Sequence, residues 1–148
     1  MMKAIFKTFS LVAFMTISMA ANAQDKIIDL GQLPKQAQNF IKAYSSKLSI
    51  AYIKLEDELF SKKSYEVKMN DGSEFEFDKN GEWKEIDMKR KSIPISLLPQ
   101  TIKEYVEKRF PKNKVVKLSR SSSRYEIELS NGLDLVFNNK GKFLRIDD

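Results

Sequence analysis

Apolar and polar side chains alternate along residues 65–77. Tyr65, Val67 and Met69 interleave with Glu66 and Lys68, and Phe75 and Phe77 with Glu74 and Glu76. A period of two marks strands with one buried and one solvated face, so two strands meeting near Asn70-Asp71-Gly72 are predicted. A two-residue turn at Asp71-Gly72 would set Val67 across from Glu76 and mix the faces. A three-residue loop sets Met69 across from Ser73, Val67 from Phe75 and Tyr65 from Phe77, with Gly at the loop's left-handed position. The three-residue loop is the consistent solution. The same reasoning at Lys79-Asn80-Gly81 sets Phe77 across from Trp83, and Ile86 then needs a bulge to turn inward.

The pattern occurs twice. Residues 65–87, YEVKMNDGSEFEFDKNGEWKEID, align with residues 125–147, YEIELSNGLDLVFNNKGKFLRID, at a constant offset of 60. Such a repeat fixes how the fold is counted. In the second copy, Ser130-Asn131-Gly132 pairs Leu129 with Leu133, Ile127 with Leu135 and Tyr125 with Phe137. Asn139-Lys140-Gly141 pairs Phe137 with Phe143, and Ile146 again needs a bulge.

A helix precedes each hairpin. Leu33-Pro34 opens the first, with Pro34 where a missing N–H is harmless. Its apolar stripe is Ala37, Phe40, Ile41 and Tyr44, at helical spacing. Leu98-Pro99 opens the second, with the stripe Ile102, Tyr105, Val106 and Phe110 before Pro111 stops it. The helices are offset by 65 residues rather than 60, a difference that belongs in a loop. Residues 50–55 and 115–118 read as strands, and residues 88–98, basic at first and interrupted by Pro94, as the connector. The predicted architecture is α+β: a tandem repeat of a helix plus a four-stranded antiparallel sheet. Each helix covers its own sheet, and the two units share a core because four apolar residues are too few to stand alone.

The first residues read as an address. Lys3 and Lys7 precede an apolar run at residues 8–20 and the small-x-small site Ala21-Asn22-Ala23, the pattern of a secretory signal cut between Ala23 and Gln24. The run falls short of the roughly 20 residues a spanning helix needs. The expected organisation is a signal peptide at 1–23 and a single domain at 24–148, made of repeats at about 28–88 and 95–148. With no Cys, neither a lipid-anchored cysteine nor a disulfide is available.

Charge changes the picture of partners. The predicted mature chain carries 24 basic and 20 acidic side chains, with 10 lysines against 13 acids up to Asp87 and 14 basic residues against 7 acids beyond it. A basic chain suggests nucleic acid, but export argues against that partner. The charge split also raises head-to-tail self-association. Lys89, Arg90, Lys91 and Arg124, with Lys84, Lys112, Lys114, Lys117 and Arg120, offer a cationic surface for an acidic partner or the cell envelope. Trp83 is a natural binding anchor if exposed, although the hairpin register directs it inward.

Catalytic chemistry has little to draw on. With neither His nor Cys in the chain, cysteine and serine–histidine nucleophiles and the preferred zinc ligands are excluded. Ser121-Ser122-Ser123 reads as a hairpin loop. Asp78-Lys79-Asn80-Gly81 has the beginning of a calcium loop, but its twelfth position would be Lys89 rather than a closing Glu. No catalytic residue, metal site or cofactor is expected.

The run Leu98-Pro99, Tyr105-Val106, Phe110-Pro111, Val115-Val116, YEIEL, the Asn131-Gly132 turn and Gly141-Lys142-Phe143 resembles the family described as PepSY-like, putative β-lactamase-inhibitor-like. The likeness covers residues 33–87 and 98–147. It implies a β-lactamase-inhibitor-protein-like fold and a periplasmic or secreted location. The expected function is a non-enzymatic binding module that takes a protein or peptide with its sheet face and loops, inhibition being a special case. A calcium-responsive protein, which the resemblance also suggests, and an enzyme with an unfamiliar carboxylate site are the alternatives.

Overall fold

The structure, a computed structural model, describes residues 25–44, 49–57 and 62–147. The predicted signal peptide lies outside the described residues. Strands β1 (Lys26–Ile27) and β2 (Ile50–Glu56) flank helix α1 (Lys35–Tyr44), and β3 (Ser64–Met69), β4 (Glu74–Asp78) and β5 (Trp83–Asp87) follow. Helix α2 (Gln100–Arg109) then precedes β6 (Val115–Arg120), β7 (Arg124–Leu129), β8 (Asp134–Asn138) and β9 (Phe143–Asp147).

All nine strands form one antiparallel sheet in chain order, from β1 to β9. This corrects the expectation of an α+β tandem of separate helix-plus-four-strand units: among the described residues the chain is mostly β, with two short helices. The reason lies at β5. A unit ending there would leave a row of unpaired backbone groups beside Ile86. Instead β6 docks on that edge, with Glu85 opposite Ser119, Ile86 opposite Leu118 and Asp87 opposite Lys117. Ile86 is fully buried as a result. Ahead of α1 the two-residue β1 joins the sheet, with Lys26 opposite Leu55 and Ile27 opposite Lys54.

Within each hairpin the register is the one that alternation demands. Tyr65 faces Phe77 and Val67 faces Phe75, while Tyr125 faces Phe137 and Ile127 faces Leu135. The second turns pair Phe77 with Trp83 and Phe137 with Phe143, each followed by a register shift. That shift is the bulge that brings Ile86 and Ile146 to the helix side. Gly81 and Gly141 close these turns at positive φ, +85° and +78°. A β-carbon on Gly81 would lie 2.8 Å from Pro34 Cβ, and one on Gly141 would lie 1.9 Å from Thr101 Oγ1. Each helix therefore rests its first turn on a glycine turn of the sheet.

Both helices cover the same sheet face. Ala37, Ile41, Ile102 and Val106 are buried, as the stripes predict. Phe40 meets Phe75 and Phe77 edge-on at 5.9 and 5.5 Å, and Tyr105 meets Phe137 edge-on at 5.3 Å while stacking on Phe143 at 4.7 Å. One continuous apolar cluster runs through both repeats. The Gln38 amide donates to the Leu33 carbonyl at 2.8 Å, tying α1 to its lead-in.

Candidate functional site

The sheet face away from the helices carries the polar half of every alternating strand. Successive registers line these residues into cross-strand rows. One row runs Lys54, Glu66, Glu76, Glu85, Ser119, Glu126, Val136, Arg145. The next runs Lys68, Glu74, Asp87, Lys117, Glu128, Asp134, Asp147. A basic chain thus presents an acidic outer face.

The two rows differ in how their charge is balanced. In the second, Lys68 pairs with Glu74, and Lys89 reaches Asp87 at 2.8 Å and Glu74 at 3.3 Å. The Lys68 contact is the first cause of a lowered Glu74 carboxyl. Burial opposes ionisation of Asp87, yet the bonds from Lys89 outweigh it and hold that carboxyl below its ordinary value. In the first row, Glu66, Glu76 and Glu85 stand side by side on three adjacent strands. Directly opposed like charges destabilise a sheet. Glu76 remains exposed to solvent, yet surrounding side chains withdraw water from its carboxyl. That desolvation, followed by the charges of Glu85, Glu56 and Glu66, raises its affinity for a proton. Lys117, 3.0 Å from Glu85, is the nearest compensation.

Toward β9 this face hollows into a shallow trough of about 210 Å³. The buried side chain of Val136 lies among its lining, with Glu85, Glu126, Glu128, Asp134 and Asp147 around it and Lys117 among them. An apolar patch ringed by carboxylates suits the aliphatic stem and charged head of a lysine or arginine. Among the described residues, no group of three acids converges as metal ligands.

The residues singled out from sequence do not gather in one place. Trp83 is half-buried against the core, its ring capped by Arg120. Lys89 adopts a left-handed backbone, φ 59°, and Arg90 is exposed. Lys91 binds Asp71 at 2.7 Å, and this bond is the main reason the Asp71 carboxyl falls to about 2. Arg124 pairs with Glu126 at 2.5 Å at the other end of the sheet. The carboxylate row went unnoticed in the sequence, although the three-residue loop already sets Glu66 across from Glu76.

The Asp78 and Ser121 loops, read from sequence as turns, are held by turn hydrogen bonds. Asp78 Oδ1 accepts the N–H groups of Asn80 and Glu82 at 2.8 and 3.0 Å, and Asn138 Oδ1 accepts those of Lys140 and Lys142 at 3.0 and 2.9 Å. A neutral amide does the same job, so the charge on Asp78 is not what the turn requires. Ser121 Oγ accepts the N–H groups of Ser123 and Arg124 at 3.3 and 3.2 Å, closing its own loop. No helix among the described residues is long and apolar enough to cross a membrane.

Comparison with known proteins agrees with this architecture. A family model described as "Putative beta-lactamase-inhibitor-like, PepSY-like" matches residues 63–145. A crystal structure from Bacteroides thetaiotaomicron, described as a "putative calcium-regulated periplasmic protein", is 40% identical, with a TM-score of 0.81 over 84% of this chain and 97% of that one. A "putative periplasmic protein of unknown function" from Bacteroides vulgatus is 41% identical, with a TM-score of 0.81 over 84% of this chain and 100% of that one. A second protein from that organism, also described as a "putative periplasmic protein", is 37% identical, again with a TM-score of 0.81, over 86% of this chain and 99% of that one. No curated protein matches the chain.

Proposed function

The chain belongs to the PepSY-like, β-lactamase-inhibitor-like family, and from that premise we propose that it is a non-enzymatic periplasmic binding module whose outer sheet face receives a positively charged segment of a protein or peptide. The observation that carries this reading is the row Glu66, Glu76, Glu85, three carboxylates held directly opposite one another. Their alignment opposes folding, and a bound lysine or arginine relieves it. The trough beside Val136 and Glu126 supplies the matching apolar floor. The periplasmic relatives support the compartment. A chain without His or Cys, whose outer carboxylates Glu74, Glu85, Asp87, Glu126 and Asp147 are ion-paired with lysine or arginine, supports binding over catalysis.

The test is titration of lysine- and arginine-rich peptides into the purified chain at low salt, with an acidic peptide as control. Selective binding of the basic peptides, weakened by salt and by the double variant Glu76→Gln/Glu85→Gln, supports the reading. Equal binding of both peptides, or of neither, overturns it.

A second reading draws on the relative described as calcium-regulated. Calcium held by the outer acids would stabilise the native state and raise the melting temperature. An unchanged melting temperature at millimolar calcium removes that reading.

A further inference from the structure

The internal repeat supplies its own control for the last strand. β5 and β9 occupy equivalent places, each following a glycine turn and a bulge. Ile86 in β5 is completely buried, whereas its counterpart Ile146 in β9 is 45% exposed, beside Leu144 at 50%. The difference is the neighbour. β6 lies along the far edge of β5, and among the described residues nothing lies along the far edge of β9.

The first repeat also shows what an occupant of that edge must do. β6 pairs with only the three residues past the bulge, Glu85, Ile86 and Asp87. It sets an apolar Leu118 on Ile86 and a basic Lys117 on Asp87. The Met88 N–H donates to the Val116 carbonyl at 2.9 Å, so by antiparallel alternation the N–H and C=O of Ile86 also point at β6. By the same geometry, the backbone groups of Ile146 point into the open edge. The equivalent window is Arg145, Ile146, Asp147.

That window is its own complement. Run antiparallel against itself, it sets Ile146 on the second copy's Ile146 and Arg145 on the second copy's Asp147, twice over. The apolar contact and the basic-to-acidic contact that β6 makes on β5 are both reproduced. Within one chain, Arg145 and Asp147 already lie together on the outer face, with Nε to Oδ1 at 2.6 Å and Nη2 to Oδ2 at 2.9 Å. Exchange across the two-fold replaces the two intrachain pairs, one in each copy, with two interchain pairs of the same kind. At the opposite edge β1 is two residues long and pairs only with Lys54 and Leu55 of β2.

We propose that two copies of this chain join β9 to β9 about a two-fold axis, centred on Ile146, to make one continuous sheet. The interface is isologous and closes on itself, so it yields dimers and not fibres. It also brings the two acidic outer faces into one surface. Three paired residues on each side place it among small, transient interfaces.

The experiment is sedimentation of the purified chain up to about 1 mM, as weak association requires. Wild type is expected to show a concentration-dependent dimer. Arg145→Asp and Asp147→Arg each oppose like charges twice across the axis and should weaken association by about tenfold. Mixed together, the two variants are complementary again and should recover a heterodimer. Ile146→Lys should remain monomeric with its melting temperature unchanged. A wild-type chain that stays monomeric at the highest concentration overturns the proposal, and so does a mixture that fails to recover association. If a variant does not fold, exchange of the wild-type Ile146 amide decides. Slowing as protein concentration rises supports β9 pairing, and a constant rate refutes it.

Discussion

The guanidinium of Arg120 lies over the Trp83 indole, 3.8 Å from the ring centroid, and its Nε donates to the Trp83 carbonyl at 2.8 Å. The contact sits where β5 meets β6, so it fastens one repeat to the other past the point where their backbone pairing ends at Glu85 and Ser119. Arg120→Ala should cost about 1–3 kcal/mol, the sum of a stacked cation and a charge-assisted hydrogen bond. Arg120→Lys should recover less than half, since an ammonium offers no flat face. Urea unfolding followed by Trp83 fluorescence measures both, and a midpoint unmoved by Arg120→Ala would count against the contact.

Glu76 carries a cost that depends on pH. Its carboxyl binds a proton more tightly in the folded chain than an ordinary glutamate, at 4.5, does. The cost is therefore absent below that value and fully present once pH exceeds the raised one. Glu76→Gln should stabilise the chain at pH 7 by about 0.5–1 kcal/mol and leave it unchanged near pH 3. Equal shifts at both pH values would show that charge is not the cause.

Asp71 behaves in the opposite sense. Lys91 holds its carboxyl at about 2, below the ordinary 3.8. The stability it contributes is fully present above the ordinary value and is lost as pH falls toward 2. Lys91→Gln should move the acid-unfolding midpoint to higher pH and cost about a few tenths of a kcal/mol at neutral pH, because the Lys91 side of the pair is solvent-exposed. An acid midpoint identical to wild type contradicts the assignment.

Gly81 and Gly141 combine a left-handed backbone with close approach of a helix. Alanine at either should cost roughly 2–4 kcal/mol, strain and overpacking together. At Gly132, which shares the positive φ but faces open space, alanine should cost roughly 1 kcal/mol. Thermal melts of the three variants test the ranking, and equal losses would mean that helix seating adds nothing.

Much of this molecule can be read along the chain because alternation leaves so few registers open. With Val67 and Phe75 both apolar, only one loop length keeps them on the same face, and that choice fixes Phe77 opposite Trp83 as well. The stripes of Ala37, Ile41, Ile102 and Val106 mark both helices for the same local reason. The single sheet was not legible, because the pairing of Ile86 with Leu118 joins residues far apart and is decided by which edge needs cover. Arg120 escaped notice as the partner of Trp83 for a similar reason. Ile86 and Ile146 show the limit most clearly: near-identical surroundings in sequence, opposite burial in space. Their truncations should differ accordingly, with Ile86→Ala costing about 2–4 kcal/mol and Ile146→Ala under about 1 kcal/mol for the monomer.

The strict chain order of the nine strands has a kinetic meaning. Every strand waits only for the one synthesised immediately before it, so most ladders close a short loop at small entropic cost, and only β1–β2 and β5–β6 close across a helix. A polypeptide emerging end-first can zip into place as it arrives. Its growing margin is at each moment the newest strand, from β2 through to β9.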